Sequence, residues 1–295
     1  MTADGRVGDG SVDERNVPVA TVPTLTLNNG VEIPQLGFGV FQIPPEETVA
    51  ATATALEIGY RHIDTAQMYG NEKEVGQAVR DSGLDRGEVF VTSKLNNNRL
   101  ERDGILRSFD QSLADLGFEY LDLFLIHWPL PAVSDYVARW KVMEEIYADG
   151  RVRAIGVSNF QPGHLRDLLA SSDLRPAVNQ VEVSPFLTQD EIRALDAEHG
   201  IVTEAWSPIA RGKVSDDPVI GRIAEQVGRT PAQVTLRWHV QRGDVVFPKS
   251  VNRGRMEENF AIFDSELDES QMAAISALNR NERTGPNPDE FNYVP

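Results

Sequence analysis

Eight times between Gln35 and Pro248 a short run of β-type apolar residues gives way to a longer stretch with helical spacing. This alternation restricts the chain more than any other feature. The runs occupy 35–40, 60–64, 89–93, 121–126, 152–157, 177–182, 201–205 and 245–248. Helical patterns fill 46–57, 72–81, 105–116, 136–148, 164–170 and 190–198, and the interval before the eighth run holds two more, 219–227 and 232–241. A further helix is expected at 269–278. Strands separated by helices pair in parallel, because only a crossover returns the chain to the same end of a sheet. No change of composition divides the 295 residues, so the pattern predicts one α/β domain over 23–295, a (β/α)8 barrel, rather than two domains. A doubly wound sheet is the alternative. Its phosphate loop would be Gly37-Phe38-Gly39-Val40-Phe41-Gln42, which lacks the third glycine and runs into Ile43-Pro44-Pro45, where no helix can continue.

Local signals refine the picture. Thr24–Leu27 and Val31–Ile33 flank Asn28-Asn29-Gly30 and predict a hairpin ahead of the barrel. Thr188 with Glu191, and Thr230 with Pro231 and Gln233, read as helix-capping boxes. The segment 284–295 contains Pro286 and Pro288, has no periodicity, and is expected to lie extended over one barrel face. Residues 1–22 have no apolar core and are expected to form a disordered tail rather than a signal peptide.

Composition excludes several function classes. The net charge of −17 and pI near 4.7 oppose bulk binding to nucleic acid or an anionic membrane, so a polyanionic ligand would need a local basic pocket. The chain has no cysteine, which removes disulfides, thiolate metal sites and cysteine nucleophiles. Its five histidines (62, 127, 164, 199, 239) form neither His-x-His nor His-Glu-x-x-His, so no metal is expected. No apolar run reaches the roughly 18 residues of a membrane helix. A monomer in the cytoplasm is the expectation.

In barrels of this kind the loops leaving the strands converge on one face and carry the chemistry. Asp64 ends the second run, Tyr69 lies in the loop after it, Lys94 follows the third and His127 the fourth. Each alone has an ordinary reading as cap, rim or buried polar group, but four on neighbouring strand ends suggest a site. Tyrosine has a pKa near 10, and a neighbouring ammonium favours its anion. A carboxylate keeps that lysine charged, and a histidine can aim a carbonyl oxygen at the phenol. The set makes a general acid that needs neither metal nor covalent nucleophile. His62 shares strand parity with Asp64, so it is expected inside the barrel as a structural histidine.

The motifs Gly59–Ala66, Met68-Tyr69-Gly70-Asn71-Glu72, Thr92-Ser93-Lys94-Leu95, Leu125-Ile126-His127-Trp128-Pro129, Gly156-Val157-Ser158-Asn159-Phe160 and Pro248-Lys249-Ser250-Val251 together resemble the aldo-keto reductase superfamily. The bacterial 2,5-diketo-D-gluconate reductase-like branch is the nearest likeness, and the resemblance runs over about 24–295. It implies a TIM barrel, reduction of aldehyde or ketone carbonyls with NADPH, and the catalytic set Asp64, Tyr69, Lys94 and His127. The same matching assigns Ser158, Asn159 and Gln180 to the nicotinamide carboxamide and Trp206 to its ring. Ser207, Lys249, Ser250, Val251, Arg255, Glu258 and Asn259 are assigned to the rest of the cofactor. Lys249, Arg253 and Arg255 then supply the basic pocket. Phe41, Trp128 and Asn96 are expected to line the substrate site. The pattern departs from relatives at Asn96, where tryptophan is common, and at Ser184, where histidine is. A metal-dependent barrel hydrolase and a non-catalytic regulatory subunit that binds NADPH are the rival readings.

Overall fold

The computed structural model describes residues 22–295; the expected tail lies outside the described residues except for its last position. A hairpin comes first, β1 (Thr24–Thr26) antiparallel to β2 (Glu32–Pro34). Leu27 and Val31 pair across its three-residue loop, and Gly30 takes the left-handed conformation (φ 84°) that this turn requires. The barrel strands are β3 (Phe38–Gly39), β4 (His62–Asp64), β5 (Phe90–Leu95), β6 (Leu121–Ile126), β7 (Val152–Ser158), β8 (Val178–Glu182), β9 (Val202–Trp206) and β10 (Val245–Val246). They lie in sequence order and all pair in parallel. A parallel bridge between Leu36 and Val246 closes the ring, reinforced by Gly37 N–H to Val246 O and Val246 N–H to Gln35 O. The expected (β/α)8 TIM barrel is present.

Crossover helices surround it: α1 (Pro45–Ile58), α2 (Glu72–Asp81), α3 (Arg102–Leu116), α4 (Tyr136–Ala148), α5 (Pro162–Ser171) and α6 (Asp190–Glu198). The two expected helices before the last strand are α7 (Pro218–Val227) and α8 (Pro231–Gln241), and α10 (Glu269–Ser276) is the expected final one. The sequence reading missed α9 (Arg253–Phe260), a short polar helix whose start is capped by Asn252. The Thr230 capping box forms as read. The Thr188 box does not: α6 starts one residue later at a left-handed Gln189, and the Thr188 hydroxyl bonds the Asp190 carboxylate instead.

Strand alternation sorts the core into two layers. In β6, Phe124 and Ile126 pack outward against the helices, whereas Leu123 and Leu125 point into the barrel. The inner layer also contains Leu27 and Ile33 of the hairpin. Asn28 and Asn29 fix that hairpin to the Pro176 and Arg153 carbonyls, each at 2.8 Å. One end of the barrel is thereby plugged, and the site forms at the other. His62 takes its expected place, fully buried, with ring nitrogens 2.9 Å from Thr92 Oγ1 and 3.2 Å from Pro34 O. Burial depresses its pKa to about 3.

Candidate active site

The C-terminal ends of β4 and β5 bring Asp64 and Lys94 together. Lys94 is fully buried, and its ammonium donates to both Asp64 carboxylate oxygens at 2.8 Å, to Thr65 O at 3.0 Å and to the Tyr69 hydroxyl oxygen at 3.4 Å. Burial alone would depress the lysine pKa, but the Asp64 charge overcomes it and the net direction is upward. The ammonium therefore stays charged. Because the Tyr69 oxygen accepts from Lys94, its own proton is free to point elsewhere.

Tyr69 sits in a single 3-10 turn, Gln67–Tyr69, ended by Gly70 in the left-handed region. Two side chains hold this turn, one within it and one just after it. The Gln67 amide donates to Ser108 O and Ser112 Oγ and accepts from Asn96 N–H, each at 2.7 Å. The buried Asn71 accepts from Thr65 Oγ1 and donates to the Val40 and Ile43 carbonyls. The spacing in Met68–Glu72 thus has a mechanical basis. The expectation that Lys94 lowers the Tyr69 pKa needs correction. Burial is the larger influence and pushes the phenol up, although Lys94 opposes it. His127 is also buried and, 5.8 Å from Tyr69 between ring centroids, stands edge-on to it. Burial, with Lys94 and Arg139, holds its imidazole well below the usual range, hence neutral.

These groups open on a cavity of about 300 Å³, at the lower end of typical small-molecule sites. Phe41 and Trp128 are among its lining residues. The C-terminal segment forms the opposite wall. Phe291 lies 4.1 Å from Trp128 between ring centroids, and Glu182 accepts from the Thr284 and Gly285 backbone N–H groups. A Cβ on Gly285 would come within 2.4 Å of the Trp206 ring, so only glycine permits this approach. Asn96 is misplaced in the sequence reading. The chain turns outward after β5, and Asn96 borders a separate surface depression with Arg99, Arg107 and Asp115. Ser184 is buried in a bridge with Leu187, away from the cavity.

The cofactor residues divide into two groups. Ser158, Asn159, Gln180 and Trp206 all line the cavity. Asn159, at a positive φ of 64°, donates to His127 O and Ser158 Oγ and accepts from Trp206 Nε1 at 2.9 Å, which fixes the indole plane. Ser158 in turn donates to Gln180 O. Gln180 spends both amide N–H groups, on Asp64 Oδ2 and Glu204 Oε2, each at 2.8 Å. Only its carbonyl oxygen remains to meet a ligand, which suits an amide N–H. The buried Glu204 was missed by sequence reasoning, although it shares strand parity with Trp206 and so had to face inward.

Around α9 the expected basic pocket is smaller than three residues. Arg253 is paired with Glu57 and Glu257, each at 2.9 Å. Among the described residues Lys249 and Arg255 have no ion-pair partner, and Lys249 reaches the cavity wall. Ser250 and Glu258 have structural duties: Ser250 Oγ accepts from Asn252 N–H, and Glu258 accepts from the Thr230 hydroxyl. Asn259 is buried and Val251 exposed. Ser207 holds a left-handed turn with φ 50° directly after Trp206. Arg211, also at positive φ, lines the cavity and was not singled out from sequence. Among the described residues no group of three or more His, Cys, Asp or Glu could hold a metal, and no helix is long and apolar enough to cross a membrane.

The open end of the barrel thus brings Asp64, Lys94, Tyr69 and His127 together beside an aromatic cavity. Residues 35–280 match the Aldo/keto reductase family model. An "Aldo-keto reductase" of Mycobacterium sp. (strain KMS) is 50% identical over 272 residues, covering 92% of this chain and 99% of that protein. The "Glyoxal reductase" of Bacillus subtilis (strain 168) is 46% identical over 276 residues, covering 93% and 99%. The crystal structure of a Gox0644 mutant in complex with NADPH superposes with a TM-score of 0.88 at 40% identity, covering 92% of this chain and 100% of that one. The chain belongs to the aldo/keto reductase family. It is an oxidoreductase.

Proposed function

We propose that the chain reduces small aldehyde and ketone carbonyls, including glyoxal-like dicarbonyls, with Tyr69 as the general acid. The observation that carries this reading is the buried Lys94, charged by Asp64 and donating to the Tyr69 oxygen at the edge of the cavity. Nicotinamide, when bound, supplies the hydride. The protein supplies the proton and the orientation. The phenol of Tyr69 gives its proton to the carbonyl oxygen; the O–H bond breaks, and the phenolate left behind is met by the Lys94 ammonium. Neutral His127 donates one N–H to the same oxygen and aims it. The free carbonyl of Gln180 and the fixed plane of Trp206 suit the carboxamide and ring of a nicotinamide. Lys249 and Arg255 are the cations available to a phosphate monoester. The aromatic walls Phe41 and Trp128 favour substrates without a strongly hydrated exterior.

A carbonyl panel followed at the NADPH absorbance band tests the assignment. Turnover of glyoxal-like dicarbonyls and simple aldehydes is expected. NADPH binding with no turnover across the panel would instead support the regulatory alternative.

A further inference from the structure

Beneath the cluster, inside the barrel, lies a carboxyl group that the reduction chemistry does not use. Glu204 stands on β9 opposite Gln180 of β8, and its side chain is fully buried. One of its oxygens accepts from Gln180 Nε2 at 2.8 Å; among the described residues the other has no hydrogen-bond partner. The same amide gives its second N–H to Asp64. Two carboxyl groups from different strands therefore share one neutral amide.

Among the described residues no cation forms an ion pair with Glu204. Lys94 directs its donors to Asp64, Thr65 and Tyr69. The charged groups that face Glu204 are Asp64 from β4, which opposes its ionisation, and Lys94 from β5, which favours it. From the flanking strands come the neutral Gln180 and Val245. A dry carboxylate with one hydrogen bond and no counter-ion is far costlier than a neutral acid with one unpartnered hydroxyl. Burial, together with Asp64, pushes its pKa up to about 8.

We propose that Glu204 is a positioning residue: a protonated carboxyl whose carbonyl oxygen fixes the Gln180 amide, leaving the Gln180 oxygen for a ligand, and whose neutrality keeps a second negative charge away from Lys94. This rests on the reading of Asp64, Lys94 and Tyr69 given above. When Glu204 releases its proton to solvent at alkaline pH, the new negative charge disfavours the Tyr69 phenolate. Alcohol oxidation, the reverse reaction, needs that phenolate as its base and is opposed. Carbonyl reduction leaves the same phenolate behind when the phenol donates its proton, so it is opposed as well.

The test compares the full chain with Glu204→Gln and Glu204→Leu. Infrared difference spectra of the wild type at neutral pH should show the carbonyl stretch of a protonated carboxyl that Glu204→Gln lacks. Above about pH 8, Glu204→Gln should oxidise alcohol about three- to tenfold faster than wild type, the effect of relieving Tyr69 of about half to one pKa unit. Glu204→Leu keeps the site neutral but frees Gln180, so its NADPH Kd, read by tryptophan fluorescence, should rise about two- to tenfold, the value of one hydrogen bond. An infrared band that is absent, or unchanged in Glu204→Gln, overturns the proposal; so do superimposable pH profiles. Should Tyr69→Phe keep wild-type turnover while the infrared band behaves as described, the general-acid reading fails and the protonation of Glu204 stands.

Discussion

Replacing Lys94 with methionine should destabilise the protein by about 3–5 kcal/mol at neutral pH, because it strands a buried carboxylate rather than because it removes a favourable pair. Lys94 is fully buried, and the Asp64 side chain is only 7% exposed. Their two 2.8 Å contacts leave Asp64 with the Gln180 amide as its remaining side-chain donor. Methionine nearly matches the volume of the lysine stem, so little cavity forms. The double variant Lys94→Met/Asp64→Asn removes the stranded charge as well and should recover most of the loss, with a coupling of at least about 2 kcal/mol in the cycle. Urea denaturation followed by tryptophan fluorescence reads all four corners. Neither variant should reduce carbonyls appreciably, so stability and activity separate. A loss below about 1 kcal/mol for Lys94→Met, or a double variant no more stable than the single, would refute the reasoning.

Two other outcomes follow from the same geometry. Arg255→Ala should weaken NADPH binding by about tenfold or more, the value of a hydrogen bond to a charged group, and leave NADH nearly unchanged; equal losses in a fluorescence titration would remove Arg255 from the 2′-phosphate. Acid should destabilise the fold in a definite window. His62 titrates near 3 when folded and near 6.5 when unfolded, so between those values the unfolded chain binds the extra proton. Stability should therefore fall by about 1.4 kcal/mol for each pH unit descended. His127, also shifted downward, acts in the same direction. A His62→Gln variant with an unchanged acid limb in urea titrations would contradict this.

Much of this arrangement was legible because barrel chemistry sits at strand ends and strand ends are marked by apolar runs. Leu121–Ile126 was bounded correctly, and His127 followed directly. Asp64 and Lys94 were found for the same reason. Where the reading failed, the deciding contact was long-range. Asn96 lies two residues beyond Lys94, but its backbone N–H is taken by Gln67, and that tie turns the chain away from the cavity. Arg253 looked free until the fold brought Glu57 beside it, 196 residues away in sequence. Glu204 was hidden differently. A lone glutamate in a strand reads as solvent-facing, and only its parity with Trp206 pointed inward. The helix α9 escaped because its residues are polar and it buries only Met256, Asn259 and Phe260.

The central claim is that the Tyr69 phenol is the proton donor, held by Lys94 and Asp64. Tyr69→Phe tests it most directly, since it deletes one hydroxyl and keeps the ring against Phe41, 5.0 Å away between centroids. Single-turnover reduction at saturating NADPH should slow by about 10²- to 10⁴-fold, the usual weight of a general acid, while the NADPH Kd stays within about twofold. A Tyr69→Phe enzyme that keeps more than half of the wild-type rate would contradict the account.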